Sequence, residues 1–416
     1  MRRYLSDLFI NRNYALFMGG SFVSATGSWF LTVTIGWLMW EVGRSEFLLG
    51  LASFAQMGPL LTFGLLGGVL ADRMERRSLL LICQVVGVSV SLALATLAVA
   101  NLASVPAILL LLLVMGFSQA FSWPAWSPFI ADLVGPERLR TAVALNSARF
   151  NLTRIIGPSL AGLLLASAGG AACLAITAVC QVSLLATLKA IQIGTDKPGF
   201  DHKPWLAALN EGLRCALDTP AVREPMFVSA AMGIAILPYV VFLPAYAQDI
   251  LKIGPEGLGL LFTSIGIGAI AGAVLSGQKV VASSPRRAQG IFACGTGLAL
   301  MVFALSTIPL LSSSALFFVG LGSIGYLSTA NATVQLSVPR EVVGRVIGLW
   351  TVVNSGTTPL GGLVLGAIAE RTGLGITLAA ASALAVVFSA VIMLRAARVS
   401  PAALSKQEPS PSVHRR

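Results

Sequence analysis

Arg154 stands within a long apolar run, in a chain whose charged residues make up only 11%. Ser147, Asn151, Arg154 and Pro158 follow one another at spacings of four, three and four, so they share one face of a helix. A guanidinium in apolar surroundings is costly unless it faces a cavity or a partner. The chemistry open to it is electrostatic: it can hold an anion, pair with an ionisable group, or make a structural hydrogen bond to another helix. Arg149 lies nearer the end of the same run, where a long side chain can snorkel, and is the second candidate. Gln56, Gln119, Trp123, Tyr239, Tyr326, Asn331 and Asn354 sit in other apolar runs. Their amides and rings can bind an amphipathic ligand or bond helix to helix.

A second concentration of charge, GVLADRMERR at residues 68–77, follows directly on an apolar segment. Asp72 there can face the positive N-terminal end of another helix or accept charge-assisted hydrogen bonds from arginine, and either contact would form a latch. Asp132 is a plausible partner for Arg73 or Arg76. Arg77 reads equally well as a determinant of topology.

These side chains need elements to position them, and the composition says which kind. With 56% hydrophobic residues and a mean hydropathy of +0.84, the chain departs from soluble domains, of which about 25% is charged. Apolar windows of roughly 20 residues, long enough to cross a bilayer as helices, recur along nearly the whole chain. Twelve spans are expected, at 13–39, 46–71, 78–100, 105–131, 142–167, 170–192, 226–248, 257–279, 287–308, 313–335, 344–369 and 373–395. Of the 28 Lys and Arg, only Arg44, Lys252 and Arg371 fall on the side away from the termini, and Arg149 and Arg154 lie within a span. The positive-inside rule then puts both termini in the cytoplasm. The net charge of +11 is a topology signal; it is scattered over short loops and forms no folded basic face for nucleic acid. The start of the chain lacks the features of a cleaved signal peptide. The five cysteines show no paired spacing and read as small core residues, with neither disulfide framework nor metal site expected.

The polar stretch 193–225 divides the chain into an N-terminal six-helix bundle (1–192) and a C-terminal one (226–396), followed by a tail (397–416). Within that stretch Leu206, Leu209, Leu213 and Leu217 recur at helical spacing, which suits an amphipathic helix on the membrane surface. The halves echo each other weakly: Pro136, Glu137, Leu145 and GPSLAG in the first correspond to Pro339, Glu341, Leu349 and PLGG in the second. Repeats of this kind suit two bundles that rock about a central site. Gly320, Gly322 and Gly325 satisfy GxGxxG, but with no strand before them they read as packing glycines and not as a dinucleotide site. The chain contains no GK[ST] run for a primary pump, and its only histidines, His202 and His414, fall in the linker and the tail. Enzyme, pump and channel readings therefore have little to stand on.

Gly68, Leu70, Ala71, Asp72, Arg73, Arg76 and Arg77 resemble the loop between the second and third helices of major facilitator superfamily transporters, with Glu75 where the family usually has Gly. SATGSW at 24–29, FSWPAWSPFIADLV at 121–134, the run 137–158, LNEGLRCALDTPAVREP at 209–225 and the segment 344–370 resemble the branch containing enterobactin and macrolide exporters. The resemblance implies an all-α membrane protein of twelve transmembrane helices in two pseudo-symmetric six-helix bundles, in the cytoplasmic membrane. It further implies a cytoplasmic gate of Gly68, Asp72, Arg73, Arg76, Arg77 and Asp132 that closes against the start of the eleventh helix, near Gly344 and Arg345. Gly157, Pro158, Ala161 and Gly162 resemble a reduced antiporter motif, with Thr153 in place of its upstream glycine. The implied activity is export of a small organic molecule, siderophore-like or drug-like, by alternating access and proton antiport. The expected protein acts as a monomer, without cofactor or metal; its partners are its substrate, the lipid bilayer and protons. An importer, uniporter or lipid flippase is the alternative on the same fold. Proton coupling meets an obstacle, since all 17 acidic residues lie at span ends, in loops or in termini. That leaves Asp72, Asp132, Glu41 and Asp249 at the mouths as coupling candidates. Two arginines and no mid-span acid favour an anionic cargo.

Overall fold

A long apolar segment in lipid must satisfy its backbone polar groups internally, and the helix is the local way to do so. The computed structural model describes residues 11–135, 137–191, 205–339 and 342–398. Helices α1 (Arg12–Gly43), α2 (Glu46–Arg73), α3 (Arg76–Val99) and α4 (Val105–Val134) come first. Their starts carry local signals: Asn11 accepts from the backbone N–H groups of Asn13 and Tyr14, and Ser45 accepts from that of Leu48, each supplying an acceptor for donors the helix leaves free. Next, α5 (Leu139–Ala190) runs as one element through Gly169, whose φ of 79° and ψ of 172° turn the chain sharply. Its arms, α5a (139–168) and α5b (170–190), are the expected fifth and sixth spans joined without a loop. For that reason eleven helices, and not twelve, are long and apolar enough to cross a membrane among the described residues.

The second half begins with α6 (Trp205–Asp218) in the expected linker, then α7 (Pro220–Ala235) and α8 (Tyr239–Ala245), which ends in a π turn over Tyr246–Ile250. Pro238, which has no N–H to donate, stands in the break between α7 and α8. Together they make the seventh span, which starts at Pro220 and not at 226 as expected. Then follow α9 (Gly254–Ser276), the short α10 (Lys279–Ser283), α11 (Pro285–Leu305), α12 (Pro309–Leu336), α13 (Val343–Thr372) and α14 (Leu374–Arg398).

In one bundle α1 lies along both arms of α5, α2 packs on α4, and α3 sits between α4 and α5b; in the other α12 packs on α9 and α11, and α11 on α14. The bundles meet along two seams, α2 with α13 and α5a with α9. In span numbers these are two with eleven and five with eight, which a pseudo-twofold axis exchanges. Arg76, Arg77, Arg286 and Arg345 start helices at one end, here called the basic end; Arg44, Asp249 and Glu370 mark the far end. The core follows the same division. Toward the far end one continuous cluster joins both bundles through Trp37, Trp40, Tyr239, Phe242 and Leu258. At the basic end Tyr14, Phe17, Phe129, Ile130 and Leu188 form a separate cluster confined to the first bundle.

Candidate functional site

Both seams are built on small residues that let backbones touch. A Cβ on Gly50 of α2 would lie 2.3 Å from the carbonyl oxygen of Gly362 in α13, and one on Gly162 of α5a would lie 2.7 Å from the Cα of Gly259 in α9. Hydroxyls join the second seam, where Ser159 and Thr263 are hydrogen bonded. At the far end Arg44 pairs with Asp249 at 3.1 Å and Ser45 donates to Glu370, again linking the two bundles. Nearby, Trp37 donates to Glu41 at 2.7 Å on the wall of a cavity of about 430 Å³ that Gly169, Gly170, Pro255 and Glu256 also line.

Toward the basic end the seams part. Gly344 and Gly348 lie five helical turns before Gly362 and Gly366 and so continue the face of α13 that meets α2. Among the described residues, nothing lies within 4 Å of a Cβ built on either of them. Ala144, five turns before Gly162 on α5a, is exposed. The last contacts before the gap are Leu61 against Gly356 on one seam and the backbone of Arg154 and Ile155 against Gly266 on the other. Among the described residues the two seams are thus in contact at the far end and part toward the basic end, leaving a cleft with its apex at the level of Arg154.

The apex carries positive charge. The half-buried Arg154 side chain has no hydrogen bond or ion pair among the described residues, and its electrostatic neighbour is Tyr239, the first residue after the break between α7 and α8, which is itself buried in the core that joins the bundles. A phenol offers a dipole and not a counter-charge, so no described side chain neutralises this guanidinium, and it depends on the cleft for its solvation. On the far side of Arg154 an aromatic floor closes the cleft: Trp29 of α1 meets Phe262 of α9 edge-on, with ring centroids 6.5 Å apart. Gly157 makes room for it, since a Cβ there would fall 2.6 Å from the Cβ of Trp29. Pro158 and Gly162 continue the same arm into the seam with α9, where Gly259 approaches the Pro158 carbonyl. In this structure the helix 5 motif therefore forms the contact surface between bundles.

The other cavity candidates are held in different ways. Arg149 is buried and donates to the Ser21 carbonyl at 2.7 Å and to Asn146, with its guanidinium 6.0 Å from the Trp126 ring centre. Tyr326 is buried as well and donates to the Pro225 carbonyl at 2.6 Å. Asn354 donates to the Trp350 carbonyl within its own helix, and Asn331 accepts from Gln335. Gln56 and Gln119 are half-buried, and Trp123 is 47% exposed just before Pro124. The side chain of Asn151 lies outside the described residues.

At the basic end Arg76 donates to both carboxylate oxygens of Asp132 at 2.8 Å, tying the start of α3 to the end of α4. Arg77 caps the end of α5b by donating to the carbonyls of Leu188 and Lys189. Arg345 pairs with Glu211 of α6, while Gly212 approaches its Cβ, so the linker helix docks on the start of α13. Leu213 and Leu217 of that helix are 40% and 46% exposed and Ala216 is buried. Gly68, Asp72 and Arg73 fall in α2, but their side chains lie outside the described residues. Sequence reasoning missed the Glu211–Arg345 pair, the Ser159–Thr263 bond and the Trp29–Phe262 floor; each joins residues more than 100 positions apart and leaves no local signal.

Comparison with known proteins agrees with this architecture. The transmembrane secretion effector family matches residues 9–415. Among curated relatives, the enterobactin exporter EntS of Shigella flexneri is 28% identical over 335 residues, covering 79% of this chain and 76% of that protein. EntS of Citrobacter koseri is 29% identical over 334 residues, covering 79% and 77%. Among solved structures, a bacterial homologue of the human lysosomal transporter Spinster, in an inward-facing and occupied conformation, superposes with a TM-score of 0.72 at 14% identity, covering 96% of this chain and 99% of that one. The nucleoside transporter NupG gives 0.68 at 14% identity, covering 92% and 97%. At such identities the structural likeness speaks for the fold alone. The fold, the family match over nearly the whole chain and the relatives together make this protein a membrane transporter and not an enzyme, and it belongs to the transmembrane secretion effector family of the major facilitator superfamily.

Proposed function

We propose that the protein exports a small organic molecule, siderophore-like or drug-like, across the cytoplasmic membrane by alternating access. The observation that carries this reading is the asymmetry of the two seams: tight backbone contact at the far end, a gap at the basic end, and a charged apex between them. The distribution of Lys and Arg supports a cytoplasmic basic end, with both termini on that side. In this orientation the cleft is open to the cytoplasm and loads from it. The enterobactin exporters among the relatives support outward movement of an organic cargo. Residues 193–225 then serve as the linker between the rocking bundles.

Alternating access requires the far end to separate once per cycle. A cysteine pair at Ser45 and Glu370, introduced after replacing the five native cysteines, bridges that end on oxidation or with a short bifunctional thiol reagent. In everted vesicles the bridged protein is expected to lose transport, and reduction to restore it. Undiminished flux through the bridged protein would remove opening at this end from the mechanism.

The return step needs the basic end to close, and Asp72 at the end of α2 is the group proposed to latch it against the start of α13. Neutralising that carboxylate removes its attraction to a helix N-terminus or an arginine. Asp72→Asn is expected to keep normal amounts in the membrane while transport falls about tenfold, the size of a coupling change of about 1.4 kcal/mol. Wild-type flux in that variant eliminates the latch. Proton exchange through Asp72, Asp132, Glu41 or Asp249 is the energetic reading that the antiporter-like motif of α5a supports.

A further inference from the structure

The seam between α5a and α9 parts toward the basic end at membrane depth, where a bilayer leaves no empty space. Along its closed part the two helices run antiparallel, with Gly162 on Gly259, Ser159 on Thr263 and Ile155 on Gly266. Continuing that register puts Ala148 opposite Ala273 and Ala144 opposite Gly277. These residues do not meet. Ala144 and Ala148 are exposed, and a Cβ on Gly277 would come near only the Val274 carbonyl of its own helix, at 3.6 Å. Ile270, one turn beyond Gly266 on the same face of α9, is 40% exposed.

The lining of this gap is apolar along Ala144, Ala148, Ile270 and Ala273, and the neighbouring Leu152 and Val274 are 46% and 63% exposed. An apolar space of this kind does not hold water. From Gly266 to Gly277 the helix rises roughly 16 Å, which is about one leaflet of a ~30 Å hydrocarbon core. A single acyl chain has that length and that chemistry. The surface end of the gap is basic: Arg138 and Arg140, with Glu137, stand at the start of α5a, and Lys279 follows α9. Arg138 and Lys279 are both exposed. On the other seam the start of α13 already has α6 beside it, through Glu211 and Arg345.

We infer that the parted half of the α5a–α9 seam is a binding site for an anionic phospholipid, one acyl chain lying between the helices and the headgroup phosphate meeting Arg138 and Lys279. The chain supplies at this end the packing that backbone contact supplies at the far end. An anionic head is favoured over a zwitterionic one because two cations, one from each bundle, attract its net charge. The site rests on the siding proposed above only for its leaflet, which is then the cytoplasmic one.

The test uses the full-length protein with its five native cysteines replaced and one introduced at Ile270, labelled with bimane and reconstituted in phosphatidylcholine bilayers. Increasing fractions of phosphatidylglycerol or phosphatidylcholine carrying a mid-chain nitroxide then quench the dye. The affinity ratio of the first lipid over the second is expected to be about fivefold for each basic residue engaged. The same dye at Val179, 70% exposed on α5b, should give a ratio near one. Arg138→Gln combined with Lys279→Gln should bring the Ile270 ratio to near one, and so should 1 M salt on the protein without those two changes, which needs no variant to fold. Equal quenching by both lipids at Ile270 in low salt overturns the headgroup assignment. Quenching by neither overturns the site, since the gap is then filled by water or protein, and a preference that survives both the double variant and high salt places the lipid elsewhere. None of these readouts requires transport, so each outcome is separate from the exporter reading, which the Ser45–Glu370 bridge tests.

Discussion

Replacing Gly162 with valine will abolish or nearly abolish transport while the protein still reaches the membrane. Gly162 sits where α5a and α9 touch backbone to backbone; a Cβ there would fall 2.7 Å from both the Gly259 Cα and the Pro255 carbonyl oxygen. Those atoms belong to the main chain and cannot rotate aside, so the helices must part. Overpacking of this kind costs about 1–3 kcal/mol. In the alternating-access cycle proposed above, the cost falls on the state in which the far end is shut, where this contact is made. A bias of that size shifts the balance between cleft states roughly 5- to 150-fold. Two measurements check it: flux in everted vesicles, which should drop by that order, and labelling of a cysteine at Ser45 by an impermeant thiol reagent from the far side, which should speed up. Slow labelling combined with lost flux would mean that the valine had damaged the bundle and had not wedged the seam.

Arg149→Ala should produce the largest loss of stability among single substitutions in the first bundle. Its guanidinium donates to the Ser21 carbonyl of α1 and twice to Asn146, beside the Trp126 ring of α4, and only 9% of the residue is exposed. Truncation leaves the Asn146 acceptor and one lone pair of Ser21 without donors in a site that water reaches poorly. A loss of about 2–3 kcal/mol is expected, since hydrogen bonds to charged groups contribute about 1.5–3 kcal/mol and interhelical bonds in membranes up to about 1.7. The purified variant should melt several degrees below wild type, with transport falling in proportion to the folded fraction. Arg149→Lys, able to reach the Ser21 carbonyl but not to fork onto Asn146, should lie between. The contrast with Arg154, five residues along the same arm, is the informative part. One arginine is hydrogen bonded into the bundle, and the other stands half-buried without such a bond among the described residues. A melting temperature unchanged in Arg149→Ala would show that the hydrogen bonds to α1 and Asn146 contribute little.

Much of this was legible in the residues. Twelve membrane-length apolar segments, the sidedness of Lys and Arg, the helix 5 stripe with Arg154 and the charged loop after α2 are all local or periodic patterns, and the family match agrees with the architecture they imply. Local patterns also misled in small ways. Residues 167–170 are the boundary expected between two spans, but Gly169 makes it without the loop a boundary suggests, because a glycine with positive φ can redirect the backbone in one residue. The seventh span looked uniform, yet it breaks before Tyr239, beside Pro238. For α6 the leucine spacing suggested a membrane-surface helix; what it could not show is the docking of that helix on α13 through Glu211 and Arg345.

Which arginine faces the cleft was undecidable from the chain alone. Arg149 and Arg154 are five residues apart on the same arm, and their roles diverge because Asn146 and the Ser21 carbonyl meet the first while the second has no hydrogen bond or ion pair among the described residues. Hydropathy determined that the chain crosses a membrane many times, since that follows from transfer free energies that each segment carries by itself; the order of Lys and Arg supports the siding of its ends proposed above. The closed seam, the gap opposite it and the half-buried guanidinium at their junction depend on contacts between segments more than 90 residues apart, and only the packed bundles create them.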